Sequence, residues 1–197
     1  MSINNLDRIN SVFGKLLNLQ VTREFPRHSI RFAKGFFKNK PIVAVEIGSY
    51  KGRNALNILK ELNVEKLYII DPYEDYEFYK KREPDKNSET LSKAYSEAKK
   101  RLKKYSNKII FIRKFSHDAV NQIPMADFIY IDGNHDYAFV KQDILDYFPK
   151  LNKNGILAGH DITNHDFNRD ILKALLEFYN KTGILPTISR TDWWIVK

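Results

Sequence analysis

Residues 42–54, Ile-Val-Ala-Val-Glu-Ile-Gly-Ser-Tyr-Lys-Gly-Arg-Asn, constrain the fold of this chain more than any other stretch. An apolar, largely β-branched run leads to Glu46-Ile47-Gly48, and beyond Gly52 the apolar residues recur at helical spacing. A strand must stop there, the backbone must turn sharply, and a helix must start with bare peptide at its mouth. Glycine suits such a turn because it tolerates positive φ and lets a ligand lie against the main chain. A second apolar run, Leu67-Tyr-Ile-Ile, ends in Asp71. A carboxylate at the carboxyl end of the neighbouring strand is placed to accept hydrogen bonds from both hydroxyls of a ribose. Together the two signals predict a Rossmann-like crevice for an adenosine-containing ligand.

The rest of the pattern extends the same architecture. Residues 3–19 and 27–38 read as two N-terminal helices, and strands are then expected at 42–47, 67–71, 109–113, 127–132 and 155–160. Helical periodicity follows each strand, the helix after 127–132 running through Val140, Ile144 and Phe148 to Leu151. Strands alternating with helices of this length make parallel βαβ units with right-handed crossovers. Two final β-like runs, 184–189 and 193–197, have no helix between them and are expected to pair as an antiparallel hairpin. The prediction is an α/β fold with a mostly parallel seven-stranded sheet, a C-terminal antiparallel hairpin and helices on both faces. One domain is expected over 1–197, its helices at 1–40 preceding a Rossmann-like core at 41–197.

Composition narrows the partners. The chain of 197 residues has no cysteine, which excludes disulfides and thiolate metal sites. No apolar run approaches the length of a membrane span, so a cytoplasmic protein without a membrane segment is expected. The formal charge of +9 favours polyanions, but its densest stretch, Lys99–Lys114, falls mostly on the polar face and end of a predicted helix. A small-molecule acceptor is favoured over nucleic acid, and the sequence leaves room for a homo-oligomer.

Dinucleotide sites usually carry G-x-G-x-x-G, which brings amides and a helix N-terminus onto a pyrophosphate. Here the spacing is Glu46-x-Gly48-x-x-x-Gly52, without a third glycine. It resembles the first motif of S-adenosylmethionine-dependent methyltransferases with a Rossmann-like fold, whose ligand has no phosphate to cradle. That resemblance assigns Gly48, Ser49 and Gly52, with Glu46, to the methionine portion and Asp71 to the ribose. Ser116 and His117, after the third strand, stand where relatives contact adenine, and Ser116 equally suits a cap for the short helix that follows.

A second constellation lies further on. Residues 127–137 deliver Asp132 at the end of an apolar strand, and residues 155–162 deliver His160 and Asp161 at the end of another. Ligands of open α/β sheets bind outside the carboxyl ends of the strands. Two acids and an imidazole converging there predict a divalent-cation site. Its oxygen-rich donor set suits Mg²⁺ or Mn²⁺ better than Zn²⁺. Asp136 reads as the N-cap of the next helix, and His135 either packs over the crevice, orients Asp132 or removes a proton.

The run Ile131-Asp-Gly-Asn-His-Asp-Tyr, then Val140, Asp143 and Gly155 to Asp161, resembles a family that includes macrocin-type sugar O-methyltransferases and cephalosporin-hydroxylase-like proteins. It resembles catechol O-methyltransferase more loosely. The resemblance implies metal ligation by Asp132, His160 and Asp161, and metal-assisted methylation of a small-molecule hydroxyl. Asn134 stands where some of these relatives have a second acid proposed as the base. His135 is then the candidate for proton removal, beside Asp132 as a catalytic residue. An RNA methyltransferase and a non-catalytic S-adenosylmethionine-binding relative are the alternatives. Residues 72–89, rich in tyrosine, read either as a loop closing over an acceptor or as a mobile surface segment.

Overall fold

The computed structural model of the protein describes residues 26–76, 87–163 and 168–197, and the helix expected over 3–19 lies outside them. The second expected helix is α1 (His28–Phe37), followed by β1 (Ile42–Ile47) and α2 (Arg53–Glu61). β2 (Val64–Ile70) leads to α3 (Ser88–Leu102), where the Asn87 side chain accepts the Thr90 amide as an N-cap. β3 (Ile109–Ile112) and the short α4 (Ser116–Ala119) precede β4 (Ala126–Ile131) and α5 (Tyr137–Tyr147). β5 (Leu151–Gly159), α6 (Asn168–Thr182), β6 (Thr187–Ser189) and β7 (Asp192–Val196) complete the chain.

Three strands begin three or four residues away from the sequence reading: β2 at Val64 and not 67, β5 at Leu151 and not 155, and β6 at Thr187 and not 184. α5 ends at Tyr147 and Leu151 opens β5, so Leu151 belongs to the sheet and not to the helix. Pro149 accounts for the stop: Phe148 before it still has helical φ −60° and ψ −40°, but proline donates no amide hydrogen and cannot extend the helical ladder.

The seven strands form one sheet in the order β3-β2-β1-β4-β5-β7-β6. β1 to β5 pair in parallel, whereas β7 runs antiparallel to both β5 and β6. All six residues of β4 are buried, and after Asp127 it reads as an apolar run, as expected of a strand covered on both faces. Val45, Ile129, Leu157 and Trp193 pack on one face against Ile144 of α5 and Leu175 of α6. Ala44, Leu67, Phe128 and Trp194 pack on the other against Ile30, Ile58 and Leu102 of the first three helices. Adjacent tryptophans in β7 thus serve opposite cores.

The densest basic stretch has local work to do. Arg101 donates to the Lys51 carbonyl, and Lys108 Nζ donates to the Val64 carbonyl at 2.7 Å. Lys99 and Arg113 both lie over the Tyr95 ring.

The chain leaves β1 for β2 on one side and returns to β4 on the other, so a crevice opens at the carboxyl edge between β1 and β4. Gly48, at φ 79°, sits at its base. A Cβ on Gly48 would lie 2.3 Å from the Asp132 carbonyl oxygen and 2.5 Å from Gly133 Cα. The turn after β1 therefore presses against the turn after β4, and the Asp132 amide donates to the Ile47 carbonyl at 2.8 Å. Gly48→Ala should lower stability by about 2–4 kcal/mol, from left-handed strain plus overpacking. Gly35→Ala, within α1 and with open space around it, should raise stability by about 0.5–1 kcal/mol. Urea midpoints of the two variants check the pair, and equal stability of Gly48→Ala and parent would count against the close packing.

Candidate active site

A cavity of about 340 Å³ occupies the crevice, within the size range of small-molecule sites. Gly48 and Asp71 line one side, Phe115 and Ser116 a second, and Asn134 and Phe139 the third. Tyr76 closes over it, its ring 5.3 Å from Phe115 and 6.3 Å from Phe139. Tyr73, expected beside it over an acceptor, instead turns inward, buried against Tyr95 with ring centroids 4.9 Å apart.

Of the sequence-predicted cofactor residues, Gly48, Asp71, Ser116 and His117 line this cavity, and Glu46, Ser49 and Gly52 do not. Asp71 accepts the Ser49 and Tyr50 amides at Oδ2 (3.0 and 2.9 Å) and the Tyr73 amide at Oδ1 (2.9 Å). It thereby ties the Gly48 turn to the end of β2.

Glu46 lies fully buried beneath the turn, where Asn54 Nδ2 donates to its Oε1 at 3.0 Å. Burial pushes the Glu46 carboxyl up to about 8, the Asn54 hydrogen bond opposing and the charges of Asp132 and Asp71 adding to the rise. It is a neutral acid at pH 7. Gly52, at φ 69°, packs against α3, with its hypothetical Cβ 3.2 Å from that of Ala98.

Ser116 is the first residue of α4; the cap position belongs to Phe115, and Ser116 supplies its carbonyl to the Tyr147 hydroxyl at 2.7 Å. His117 lines the cavity but is 70% exposed, and its Nδ1 lies 2.8 Å from Asp146 Oδ2, which raises its pKa.

The second constellation does come together, beside the cavity and at the same sheet edge. His135 Nε2 lies 3.6 Å from Asp132 Oδ1 and 3.2 Å from Asp161 Oδ2. His160 Nδ1 lies 3.0 Å from Asp161 Oδ1 and 3.7 Å from Asp132 Oδ1. Asp132, His135 and Asp161 each offer one ligand atom, all within 4.8 Å of one another. Burial pushes the Asp161 carboxyl up, but the hydrogen bond from His160 and the charges of His160, His135 and Arg27 outweigh it and hold it at about 2. Asp161 also adopts φ 59°, an uncommon left-handed backbone for a non-glycine residue.

Asp136 does stand at the N-cap of α5, but its side chain makes no cap hydrogen bond. Asn134 organises that turn instead. Its Oδ1 accepts the Asp136 amide at 2.9 Å, and its Nδ2 donates to the Tyr76 hydroxyl at 3.0 Å.

Two charged residues of the site escaped the sequence reading as functional candidates. Arg27, buried just before α1, brings Nη2 to 3.6 Å from Asp132 Oδ2 and Nη1 to 3.9 Å from Asp192 Oδ1. Asp192 in turn accepts the Ser29 amide and hydroxyl at 2.9 and 2.5 Å. No local motif marks Arg27, because its partners come from β4 and β7. Asp143 is buried on α5 and lines the cavity, and burial pushes its carboxyl up to about 7 against an opposing hydrogen bond with Ser116. A carboxylate on the same helical face as Val140, Ile144 and Tyr147 was the signal available for it.

Comparison with known families decides what kind of crevice this is. A family model described as a methyltransferase domain matches residues 45–162, from the end of β1 through the His160-Asp161 pair. The chain belongs to that family.

No curated protein matches this methyltransferase in sequence. Solved structures share its fold at low identity. A putative caffeoyl-CoA O-methyltransferase from Staphylococcus aureus superposes with TM-score 0.62 at 13% identity, covering 97% of this chain and 92% of its own. The O-methyltransferase NovP gives 0.59 at 16%, covering 85% and 77%. A methyltransferase from Geobacter sulfurreducens gives 0.59 at 12%, covering 96% and 86%. Among the described residues, no helix is long and apolar enough to cross a membrane.

Burial of Glu46 in this methyltransferase predicts a pH dependence of stability. Its folded pKa, about 8, lies above its unfolded value of 4.5. Its contribution is therefore fully present below pH 4.5 and is lost as pH rises to about 8. Glu46→Gln keeps an acceptor for Asn54 and has no charge to lose. Relative to the parent it should gain on the order of 1 kcal/mol per pH unit across that window. Urea unfolding of both proteins at pH 5, 6.5 and 8 measures the gain, and a constant difference would show that Glu46 ionises normally.

Proposed function

We propose that this single-domain methyltransferase transfers the methyl group of S-adenosylmethionine to a hydroxyl oxygen of a small molecule, assisted by a divalent cation such as Mg²⁺ or Mn²⁺. The observation that carries this reading is the convergence of Asp132, His135, His160 and Asp161 at the carboxyl edge, next to a cavity suited to an adenosine. Cofactor and acceptor sites would then share the crevice between β1 and β4.

The cavity residues fit S-adenosylmethionine, which supplies an electrophilic methyl group. Gly48 and Gly52 admit the methionine portion close to the main chain, with Ser49 beside them. Glu46, neutral and buried, supports that turn from below without placing a second negative charge there. Asp71 retains acceptor capacity for ribose hydroxyls. Phe115 and Phe139 offer apolar ring surface to a purine, while Ser116, His117 and Asp143 offer polar groups at its edge. Tyr76 covers the opening and excludes water.

The other cluster fits the acceptor. Two carboxylates and the flanking imidazoles form a donor set for a hard or borderline divalent cation, which would make a coordinated hydroxyl more acidic. Asp132 and Asp161 would hold it together with one imidazole, and the other imidazole would receive the acceptor's proton. Arg27 keeps Asp132 Oδ2 engaged, so that Oδ1 is the oxygen presented to the histidines.

Two variants separate the halves of the site. Asp71→Ala removes the charge-assisted ribose contacts, each worth ~1.5–3 kcal/mol, and should weaken S-adenosylhomocysteine binding at least about tenfold by calorimetry. Asp132→Ala should abolish methyl transfer across a panel of hydroxyl acceptors with S-adenosylhomocysteine affinity nearly intact. Turnover that survives both Asp132→Ala and EDTA would refute the metal-assisted mechanism.

A further inference from the structure

The geometry points to His135 as the nitrogen ligand of the divalent cation, with His160 bracing Asp161 from outside the donor set. This reverses the roles the sequence implied for the two histidines, and it rests on the proposed metal-assisted reading of the crevice.

The assignment follows from which carboxylate oxygens are already engaged. Asp132 Oδ2 faces the Arg27 guanidinium at 3.6 Å. Asp161 Oδ1 accepts a hydrogen bond from His160 Nδ1 at 3.0 Å. The other oxygen of each carboxylate, Asp132 Oδ1 and Asp161 Oδ2, faces one shared atom, His135 Nε2, at 3.6 and 3.2 Å. Ligands in neighbouring positions around an ion of this size stand about 3 Å apart. The three atoms, all within 4.8 Å of one another, therefore need only small side-chain rotations to close on one cation.

His160 Nδ1 also lies 3.7 Å from Asp132 Oδ1. An ionised carboxylate only accepts hydrogen bonds, so Nδ1 must carry the hydrogen it gives to Asp161. That nitrogen has no lone pair to offer a cation. His160 Nε2 is buried without a hydrogen-bond partner among the described residues.

The surroundings hold this arrangement in place. Asn134 fixes the turn carrying His135 through its bonds to the Asp136 amide and the Tyr76 hydroxyl. Outer residues that orient a metal ligand commonly matter about 10–100-fold in affinity. The side chain unable to serve as a base thus positions a ligand.

Manganese titration of the full, chelator-treated chain tests the assignment. Electron paramagnetic resonance follows free Mn²⁺, and spin-echo modulation reads imidazole nitrogen on the bound ion. The parent should show nitrogen modulation. His135→Ala and His135→Gln should lose it and bind Mn²⁺ at least about tenfold more weakly, while His160→Ala should keep it with a loss of about tenfold. S-adenosylhomocysteine titration of every sample shows that the variants fold and reports on the cofactor half separately. Modulation lost in His160→Ala and kept in both His135 variants would overturn the assignment. Failure of the parent to bind Mn²⁺ while S-adenosylhomocysteine binds would overturn it together with the metal-assisted mechanism. The expected nitrogen pattern in a parent that does not bind S-adenosylhomocysteine would support the ligand set and sink the cofactor reading.

Discussion

The contact between two turns governs the layout of this protein. The backbone after β1 and the backbone after β4 approach so closely at Gly48 that a single methyl group would collide with the Asp132 carbonyl. That approach fixes the spacing of the two strands where the chain reverses its direction of travel across the sheet. It also brings the cavity lining against the strand end that carries Asp132. Glycine here serves the architecture before it serves any ligand.

Charge balance around the acceptor side follows from that compression. Asp132, Asp161 and Asp192 would repel one another in so small a volume, and desolvation would add to the cost. Arg27 reaches between Asp132 and Asp192, Ser29 satisfies Asp192 from the start of α1, and the imidazoles flank Asp161. Glu46 avoids the problem by remaining protonated. The helix preceding β1 is thus part of the site's electrostatics as well as of the core.

The sheet was legible because its parallel strands are mostly apolar towards their carboxyl ends, and β1, β2, β4 and β5 run into glycine, aspartate or histidine at one edge. The expected run at 42–47 coincides with β1, and the final hairpin forms as its two β-like runs implied. The convergence of Asp132, His160 and Asp161 was equally readable, since strand ends in a parallel sheet share an edge, whereas the place of His135 was not. What could not be read depends on tertiary partners. Arg27 has meaning only through residues more than a hundred positions away, and Asp143 only through the cavity that its helix borders. The resemblance assigned Glu46 to the methionine portion of the ligand, but the turn folds over it and leaves it fully buried. Asn134 looked like a lost acid, whereas its amide holds the turn, Oδ1 accepting the Asp136 amide and Nδ2 donating to the Tyr76 hydroxyl.

The bond from Ser29 to Asp192 joins residues 163 apart in sequence. Every contact that shapes the cofactor cavity, from Gly48 to Asp143, spans a much shorter stretch of chain. The acidic cluster therefore owes its counter-charge to contacts that reach across most of the described chain, whereas the cavity is shaped by its middle portion alone.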